Sequence, residues 1–536
     1  RAQTKKLGTT KASELIDVVQ FFESTLLVDL NDPDVNNYPV IKADVMRYIS
    51  TFRQQLPRDT LVNIMPNIVR YLTSNVPVVY TYAAHTIERL LTLKSPANSK
   101  DSLLQANDLA AYAQALIGNL LQLLQPFTGE NEYVIKCLMR VCVSLQQHVE
   151  PHLDMIIIKL ISLLNAISKN PSKPQFNHYL FETFGVLIRE LCVKNVNLID
   201  KFESNLFPIF NNVLQQDITE FIPYSFQLLS LMLELHSTSI PQVYYELFPF
   251  LLMPVLWERP GYIPALVRLL QAYIEKSSST IVQEKITAVL GVFQRLISSK
   301  TNDHFAFYIL NSLVEHMSPD VINVYIKQIF LLIFQRLNSS KTTKYVKNIL
   351  VFFSLYAYKY GTTSLVEIIN GLQTGMFQMV VEKLFILDLQ KISGHLERKI
   401  CAVGVSNILS EYGGFFSTEN EINIWTSLLE RLICLFEMPE DNSTPDDEHF
   451  IDVEDTPGYQ EAFNQLLSVR QREPDPFRGE IPNAKHYLAK RLGILSKSIP
   501  GQVILFFIYC YFLITFICIF CFYSDYKYKK GATILI

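Results

Sequence analysis

Glycine is scarce in this sequence: there are 18 glycines among 536 residues, about half the usual share of 7%. Folds with many strands and turns need glycine where the backbone takes positive φ. Nucleotide-binding loops need it where a phosphate approaches the backbone. The sequence contains no glycine-rich dinucleotide turn, no GxxxxGK[ST] loop and no HExxH zinc helix. The composition therefore favours an all-α protein that is not an enzyme.

Charge and cysteine give little further support for specialised chemistry. Charged residues make up 18% of the chain and the net charge is −4, so we expect no general attraction to nucleic acid. The eight cysteines lie unevenly, mostly inside apolar runs, which is typical of a reduced intracellular protein and not of a disulfide scaffold. The chain opens at Arg1 without a methionine or a signal-like apolar region, which indicates a fragment of a longer protein.

The sequence does contain a repeat. The nonapeptide FQRLISSKT at Phe293–Thr301 returns as FQRLNSSKT at Phe334–Thr342. Each copy ends an apolar run with helical spacing, predicted at Ile286–Ile297 and Tyr325–Asn338, and a second helix is predicted after each Ser-Ser-Lys-Thr loop. A period of about 40–47 residues with paired helices is typical of HEAT and armadillo repeats.

The rest of the chain follows the same pattern of paired helices, but the repeats differ more in sequence. In LVNIMPNIVRYL, at Leu61–Leu72, apolar residues recur with the i, i+3, i+4, i+7 spacing of one buried helix face. Pro66, Pro208 and Pro249 are predicted to lie inside first helices and to kink them. First helices are predicted to begin near residues 13, 60, 109, 151, 203, 244, 281, 320, 372 and 422.

A helix pair cannot bury its apolar face alone, so neighbouring pairs must stack. We therefore predict an all-α HEAT-repeat α-solenoid. The predicted parts are about nine helix pairs in residues 1–436, an acidic loop in residues 437–460, incomplete last repeats in residues 461–501 and a hydrophobic tail in residues 502–536.

The tail allows three interpretations. Val503–Tyr523 has 21 residues without a charge, and a helix of that length, about 31 Å, is long enough to span a bilayer. Its density of Phe, Ile, Tyr, Cys and Leu is also typical of translated noncoding DNA. An artefact of the gene model, a membrane span and a buried helix all remain open.

The strongest charge feature is Glu437–Tyr459, which holds nine acidic residues and no lysine or arginine. It lacks the Asp-x-Asp-x-Asp-Gly order of a calcium loop. It is either a solvated loop or a docking patch for a basic partner surface. The residues assigned to this acidic patch are Asp446, Asp447, Glu448, Asp452, Glu454 and Asp455.

A smaller set of basic residues is a second candidate for partner binding. Lys341, Lys344 and Lys347 fall in the loop and first turn of a predicted second helix, and Arg259 and Arg268 flank the segment PGYIPALV. A solvated edge of the stack is the ordinary role of such residues. Contact with an acidic partner is the alternative.

Histidine offers no convincing metal site. His148 and His152 are four residues apart, but Pro151 interrupts the helix between them. His85 and Glu88 share a helix face and are predicted to form a polar edge of the stack. We predict no catalytic residue, no cofactor and no metal.

Several segments are more specific than a generic repeat. They are KNPSKPQFNHYLFE at Lys169–Glu182, MPVLWERPGYIPALVRLLQAYIE at Met253–Glu275, FQRLNSSKTTKYVKNILVFF at Phe334–Phe353, ERKICAVGV at Glu397–Val405 and PDDEHFIDVEDTPGYQ at Pro445–Gln460. Together they resemble the exportin-2 family (the cellular apoptosis susceptibility proteins) of the importin-β superfamily. The likeness runs from Arg1 to about Gln502, and the tail beyond it matches nothing in the family.

The resemblance implies a nuclear export receptor that binds importin-α together with Ran in its GTP form and passes through the nuclear pore by contacting pore proteins. GTP hydrolysis on Ran in the cytoplasm then releases the cargo. The receptor would shuttle between nucleus and cytoplasm and would not be an enzyme. The family's N-terminal repeats, which supply a major Ran-binding surface, have no counterpart in this sequence. The resemblance therefore implies that the chain corresponds to the C-terminal half.

Two other functions fit a HEAT-repeat solenoid. One is a scaffold for a different complex, such as a phosphatase regulatory subunit. The other is a membrane-tethered adaptor, which requires Val503–Tyr523 to be a genuine span. Membrane association is expected under that interpretation alone.

Overall fold

The computed structural model describes residues 17–96, 98, 101–125, 130–237, 240–439, 465–470, 475–477 and 479–498. Across these residues helices alternate with short loops, and β-pairing is confined to one isolated antiparallel bridge between Lys94 and Ser102. The predicted all-α fold class is confirmed.

The described residues form two compact units. The first contains the described residues of 17–237 together with 465–470. The second contains those of 240–439 together with 475–498. In each unit a late segment of the chain therefore packs with helices that come much earlier in the sequence.

The first unit is built from helix pairs and a few short turns. Its α-helices are α1 Val18–Phe21, α2 Leu27–Leu30, α3 Pro39–Phe52, α4 Arg58–Tyr71, α5 Pro77–Leu91, α6 Ala106–Ala110, α7 Ala113–Leu123, α8 Glu132–Leu145, α9 Leu153–Ile167, α10 Pro174–Leu187, α11 Ile199–Gln215 and α12 Ile222–Leu235. π-Helical turns lie at Phe22–Leu26 and Ile188–Cys192, and 3-10 turns at Gln146–His152 and Val196–Leu198.

The second unit continues the same arrangement. Its α-helices are α13 Gln242–Leu251, α14 Ile263–Ser277, α15 Ile286–Ile297, α16 Asp303–His316, α17 Pro319–Ser339, α18 Thr343–Tyr360, α19 Thr362–Leu372, α20 Met376–Val380, α21 Ile386–Asp388, α22 His395–Glu411, α23 Glu419–Glu437 and α24 Ala484–Ser498. π-Helical turns lie at Ser278–Val282 and Val381–Phe385, and 3-10 turns at Pro254–Glu258, Pro260–Tyr262, Leu389–Lys391 and Gly413–Phe416.

Within each unit the helices lie in two layers. In the first unit the second helices form one layer, in which α3 packs on α5, α5 on α8, α8 on α10 and α10 on α12. The first helices α4, α7, α9 and α11 form the other layer, each against its own partner. In the second unit α14, α16, α18, α22 and α24 follow one another in the same way. Stacking of this kind supplies the apolar wall that a single pair lacks.

Local sequence fixes where the helices begin. Asn131 caps α8 by accepting the backbone N–H groups of Tyr133 and Val134, and Thr342 caps α18 by accepting that of Tyr345. Both side chains satisfy donors that have no partner inside the helix. Proline occupies the first turn of several others, such as α5 and α10, where its missing N–H costs nothing.

The predicted helix starts agree with the structure in most places. Helices begin at Arg58, Leu153, Gln242 and Pro319, close to the expected residues 60, 151, 244 and 320. Near the start predicted at residue 372, one helix, Thr362–Leu372, ends and the next begins at Met376. The three prolines lie inside helices as predicted, in α4, α11 and α13.

One pair of second helices packs unusually closely. Gly404 in α22 lies against Ser354 in α18, and a Cβ atom added at Gly404 would fall well inside van der Waals contact with the Ser354 carbonyl oxygen and Cα. Because backbone atoms cannot move aside as a flexible side chain can, glycine is required here for the two helices to approach.

Candidate functional site

The predicted acidic loop, residues 437–460, begins where α23 ends. Glu437 is the last residue of α23, and Met438 and Pro439 follow it. The six residues assigned to the patch, Asp446, Asp447, Glu448, Asp452, Glu454 and Asp455, lie outside the described residues. Their role in partner binding therefore stays a prediction.

The three predicted basic lysines lie at the start of α18. Lys341 is in the preceding loop and is exposed, and its ammonium donates to the Lys383 carbonyl at 3.4 Å. Lys344 is exposed on the first turn. Lys347 is half-buried, and its ammonium lies 3.4 Å from the Ser393 hydroxyl. The acceptors of Lys341 and Lys347 are thus neutral groups at long distances, whereas the Lys344 charge lies near Asp303 and His304.

Of the two predicted arginines, Arg259 precedes α14 and Arg268 lies within it. Arg259 is half-buried, donates to the Tyr262 hydroxyl at 2.7 Å and lies over the Tyr262 ring at 5.3 Å. Arg268 is half-buried within α14. The Arg259 guanidinium is therefore held in place by a local aromatic contact, which sequence reasoning did not foresee.

Sequence analysis missed a contact between the late chain and the second-helix layer of the first unit. We call Gln465–Arg470 the return segment. The backbone N–H of Ser468 donates to the Glu182 carboxylate at 3.0 Å, and the N–H of Leu467 and the Ser468 hydroxyl donate to it as well. The N–H of Leu466 donates to the side-chain carbonyl of Gln227 at 2.8 Å. Three consecutive backbone amides are therefore bound by side chains of α10 and α12.

A glycine permits this close approach. The nearest atoms to a Cβ added at Gly185 belong to the return segment: the Ser468 hydroxyl and the Val469 Cγ2, the latter at 2.6 Å. One turn further on, Arg189 donates to the Ser468 carbonyl at 3.2 Å. Glu182, Gly185 and Arg189 thus lie along one line of the helical surface.

A second late segment packs in the same way on the second unit. Phe477 is buried and meets the Tyr358 ring edge-on, with ring centroids 4.8 Å apart. Asp475 pairs with Lys399 of α22 at 2.7 Å, and Lys359 donates to the Pro476 carbonyl at 3.1 Å. Burial, with a further contribution from Glu480, raises the pKa of Tyr358 to about 12.

The prediction that Glu88 belongs to a polar edge is wrong. Glu88 is 3% exposed, and its Oε1 lies 3.5 Å from the Arg140 guanidinium, which is also buried. The partner arginine comes from α8, the next second helix, so it could not be paired with Glu88 by local spacing. His85, the other residue of that face, is half-buried and meets the Tyr133 ring edge-on.

Histidine, cysteine and carboxylate side chains are spread through the described residues. Among them no group of three or more His, Cys, Asp and Glu side chains has the arrangement of a metal site. His148 and His152 lie in a 3-10 turn with Pro151. Burial raises the pKa of the Cys142 and Cys401 thiols to about 12, which keeps them protonated near neutral pH.

The predicted membrane span also lies outside the described residues. Among the helices that the structure describes, none combines the length and the apolar composition needed to cross a bilayer.

A sequence signal for the Glu182 contact does exist. The carboxylate stands in FNHYLFETFGVL, an otherwise apolar run from Phe176 to Leu187, and it is 1% exposed. A buried carboxylate requires donors, so the run predicts a partner. The partner is 286 residues away in sequence, and no local pattern identifies it.

Two family models together match residues 1–508 of the 536-residue chain. The model described as "CAS/CSE protein, C-terminus" matches residues 88–508, and the model described as "Cse1" matches residues 1–87.

Curated relatives are closely similar to this chain over most of its length. Exportin-2 of Oreochromis niloticus is 50% identical over 507 residues, and Exportin-2 of Homo sapiens is 49% identical over the same length. Each match covers 94% of this chain and 52% of the relative, so the chain spans about half the length of the curated relatives it matches.

Solved structures agree with the helical architecture. The exportin Cse1 in its cargo-free, cytoplasmic state is 30% identical, with a TM-score of 0.76, and the match covers 91% of this chain and 49% of that one. Importin beta is 13% identical with a TM-score of 0.58, covering 81% of this chain and 51% of that one, and it supports the HEAT-repeat solenoid fold alone. The chain therefore belongs to the CAS/CSE family, the family of the exportin-2 proteins.

Proposed function

We propose that this chain is the C-terminal half of a nuclear export receptor that returns importin-α from the nucleus to the cytoplasm together with Ran in its GTP form. The observation that carries the proposal is the 49–50% identity to exportin-2 proteins across 94% of the chain. Similarity confined to the fold, as with importin beta, would not support a particular cargo.

The architecture suits a receptor better than an enzyme. Stacked helix pairs present long faces on which a folded protein can lie, and small rotations at many repeat interfaces add up to a large change of shape. We propose that the chain acts by binding alone, without a cofactor, that it contacts nuclear pore proteins in transit, and that it shuttles between nucleus and cytoplasm.

We further propose that charge complementarity guides its partners. In this proposal the acidic patch Asp446, Asp447, Glu448, Asp452, Glu454 and Asp455 faces a basic partner surface. The basic residues Lys341, Lys344, Lys347, Arg259 and Arg268 face an acidic one. The exposed ammonium groups at the start of α18 support the second part, since exposed charges steer association.

Affinity capture tests the proposal. The immobilised chain is incubated with importin-α and with Ran loaded with GTP or GDP, and a phosphatase catalytic subunit serves as the control for a general HEAT scaffold. We expect importin-α to be retained, more strongly with GTP-loaded Ran, and the phosphatase not to be. Retention of the phosphatase with indifference to Ran would replace the proposal with the scaffold function.

A further inference from the structure

The return segment is bound to α10 and α12 as a ligand is bound to a receptor. Its amides at Leu466, Leu467 and Ser468 all donate to side chains of these helices, and the Ser468 carbonyl accepts from Arg189. Leu466, Ser468 and Val469 are buried, whereas Gln465 and Arg470 at its two ends are exposed. Within the return segment the buried side chains therefore lie between two exposed end residues.

The Glu182 carboxylate of α10 is matched to the hydrogen-bond donors of the return segment. Glu182 is 1% exposed in an apolar helix, and burying a carboxylate without donors costs several kcal/mol. Two amides and one hydroxyl of the return segment supply those donors. The chain backbone within the segment turns, because the N–H of Arg470 donates to the Leu467 carbonyl at 3.1 Å. The carboxylate thus sits at the head of a turn, in the position where successive amides bind an anion.

The shape of the site is as specific as its charge. Gly185 leaves the space that the Ser468 hydroxyl and the Val469 side chain fill. The His178 imidazole lies 3.6 Å from the Glu182 carboxylate and 3.3 Å from the Tyr224 hydroxyl, so the base of the site is a packed polar cluster. A small hydroxyl residue between two aliphatic side chains is the sequence that fits.

The return segment is also separable from the helices that bind it. It lies 286 residues from Glu182 of α10, 279 residues from Arg189 in the π-helical turn that follows, and 239 residues from Gln227 of α12. Its amides at Leu466, Leu467 and Ser468 donate to side chains of these helices. Proteins open locally in contiguous units, and we expect the return segment to open as one such unit without unfolding the helices beneath it. Its retention depends on the effective concentration that its tether provides.

We propose that Glu182, Gly185, Arg189 and Gln227 form a peptide-binding site whose resident ligand is the chain's own return segment. The site takes a peptide turn of the type aliphatic–Ser–aliphatic, and it binds such a turn from another molecule when the return segment leaves. This proposal concerns a different surface from the acidic patch and does not depend on importin-α or Ran.

The first test adds one methyl group to the site by a substitution in the full chain. Gly185→Ala places a Cβ where the return segment lies, while alanine favours helix at that position. Hydrogen exchange should show the amides of Leu466–Ser468 at least about tenfold faster in the variant, with the amides of α10 unchanged. Equal protection of the return segment in both proteins would overturn the proposal, because the segment would then not depend on this site.

The second test adds the ligand from outside. Ser468→Pro removes one donating amide and the hydroxyl from the return segment and leaves the site itself intact; Leu466→Asp is a second variant with the same purpose. A labelled, capped peptide QLLSVR should bind either variant at least about tenfold more tightly than it binds the unaltered chain, whose site is occupied. The peptide QLLPVR is the matched control.

Two outcomes of the peptide experiment contradict the proposal. One is equal binding of QLLSVR and QLLPVR, which would mean that the amide and hydroxyl contacts of Ser468 do not contribute to binding. The other is unchanged binding when Gly185→Ala is combined with Ser468→Pro, which would place the peptide elsewhere. Since neither measurement involves importin-α, failure here leaves the proposed export function standing, and failure of that function leaves this site standing.

Discussion

Arg295 and Arg336 occupy the same position in the two copies of the repeated nonapeptide, and each guanidinium contacts a carboxylate of an earlier segment. Arg295 pairs with Glu258 at 2.9 Å, and Arg336 pairs with Asp303 at 2.7 Å. The surroundings differ: the Arg295 side chain is 41% exposed, and that of Arg336 is 6% exposed. One motif therefore produces a surface ion pair in one repeat and a buried pair in the next.

This contrast predicts unequal effects of the same substitution. Arg336→Ala leaves the Asp303 carboxylate buried without its partner, and we expect a loss of about 3–5 kcal/mol in the free energy of unfolding. Arg295→Ala removes an exposed pair and should cost less than about 1 kcal/mol. Urea unfolding followed by fluorescence measures both, because the two tryptophans, Trp257 and Trp425, are buried in the same unit. Equal losses would show that burial does not set the strength of these pairs.

The contact between Gly404 and Ser354 gives a second matched pair of variants. Gly404→Ala forces a methyl group against the backbone of α18, and we expect a loss of about 1–3 kcal/mol. Gly291 lies inside α15 with no neighbouring atom within 4 Å of an added Cβ. Gly291→Ala should therefore stabilise the chain by up to about 1 kcal/mol, the difference in helix propensity.

The same urea titration distinguishes these two substitutions. A stabilising effect of Gly404→Ala would mean that α18 and α22 do not approach as closely as described. A loss on Gly291→Ala would indicate an unrecognised neighbour of α15.

Stability should also depend on pH through His304. Burial, together with the nearby Lys344 charge, lowers the pKa of His304 from 6.5 to about 4, and its Nδ1 has no hydrogen-bond partner. Because the folded state disfavours the protonated ring, this contribution to stability is complete above pH 6.5 and is lost as the pH falls towards 4.

For the unaltered chain we expect His304 to lower the free energy of unfolding by about 1–2 kcal/mol between pH 7 and pH 5. His304→Gln has no titrating ring and should lose less over that range. Urea midpoints of both proteins at the two pH values provide the comparison. If both lose the same amount, His304 does not titrate as the structure implies.

Charge in the acidic patch should matter more than the identity of its side chains. Replacing Asp446, Asp447, Glu448, Asp452, Glu454 and Asp455 by Asn or Gln should weaken importin-α binding at least about tenfold and make it less sensitive to salt. A control variant exchanges Asp for Glu and Glu for Asp at the same six positions and should bind normally. Unchanged affinity after neutralisation would reject the patch as a docking surface.

Sequence reasoning succeeded where the interactions involved are local in the chain. The helix Ile286–Ile297 was predicted with its observed bounds, since apolar periodicity and a polar loop are both local. The start near residue 372 was placed less well, because one apolar run covers two helices, of which the second begins at Met376. Gly375 lies at the break between them with a φ of +75°, whereas Gly371 is inside the first helix, and the sequence does not reveal which of the two glycines takes the positive φ.

Contacts between distant segments were beyond that reasoning. Glu88 pairs with Arg140, and Glu182 binds the return segment. In both cases the sequence shows a carboxylate in an apolar helix, which predicts a partner, but stacking decides which residue it is. The assignment of importin-α and Ran came from family resemblance and owes nothing to periodicity.

The affinity of the purified chain for importin-α is the most direct test of the account. Calorimetric titration would be performed with the chain alone, with Ran bound to GTP and with Ran bound to GDP. We predict measurable binding of importin-α that is tightest in the presence of Ran bound to GTP. No binding of importin-α under any of the three conditions, by a chain that unfolds cooperatively and is therefore folded, would contradict the proposed export function.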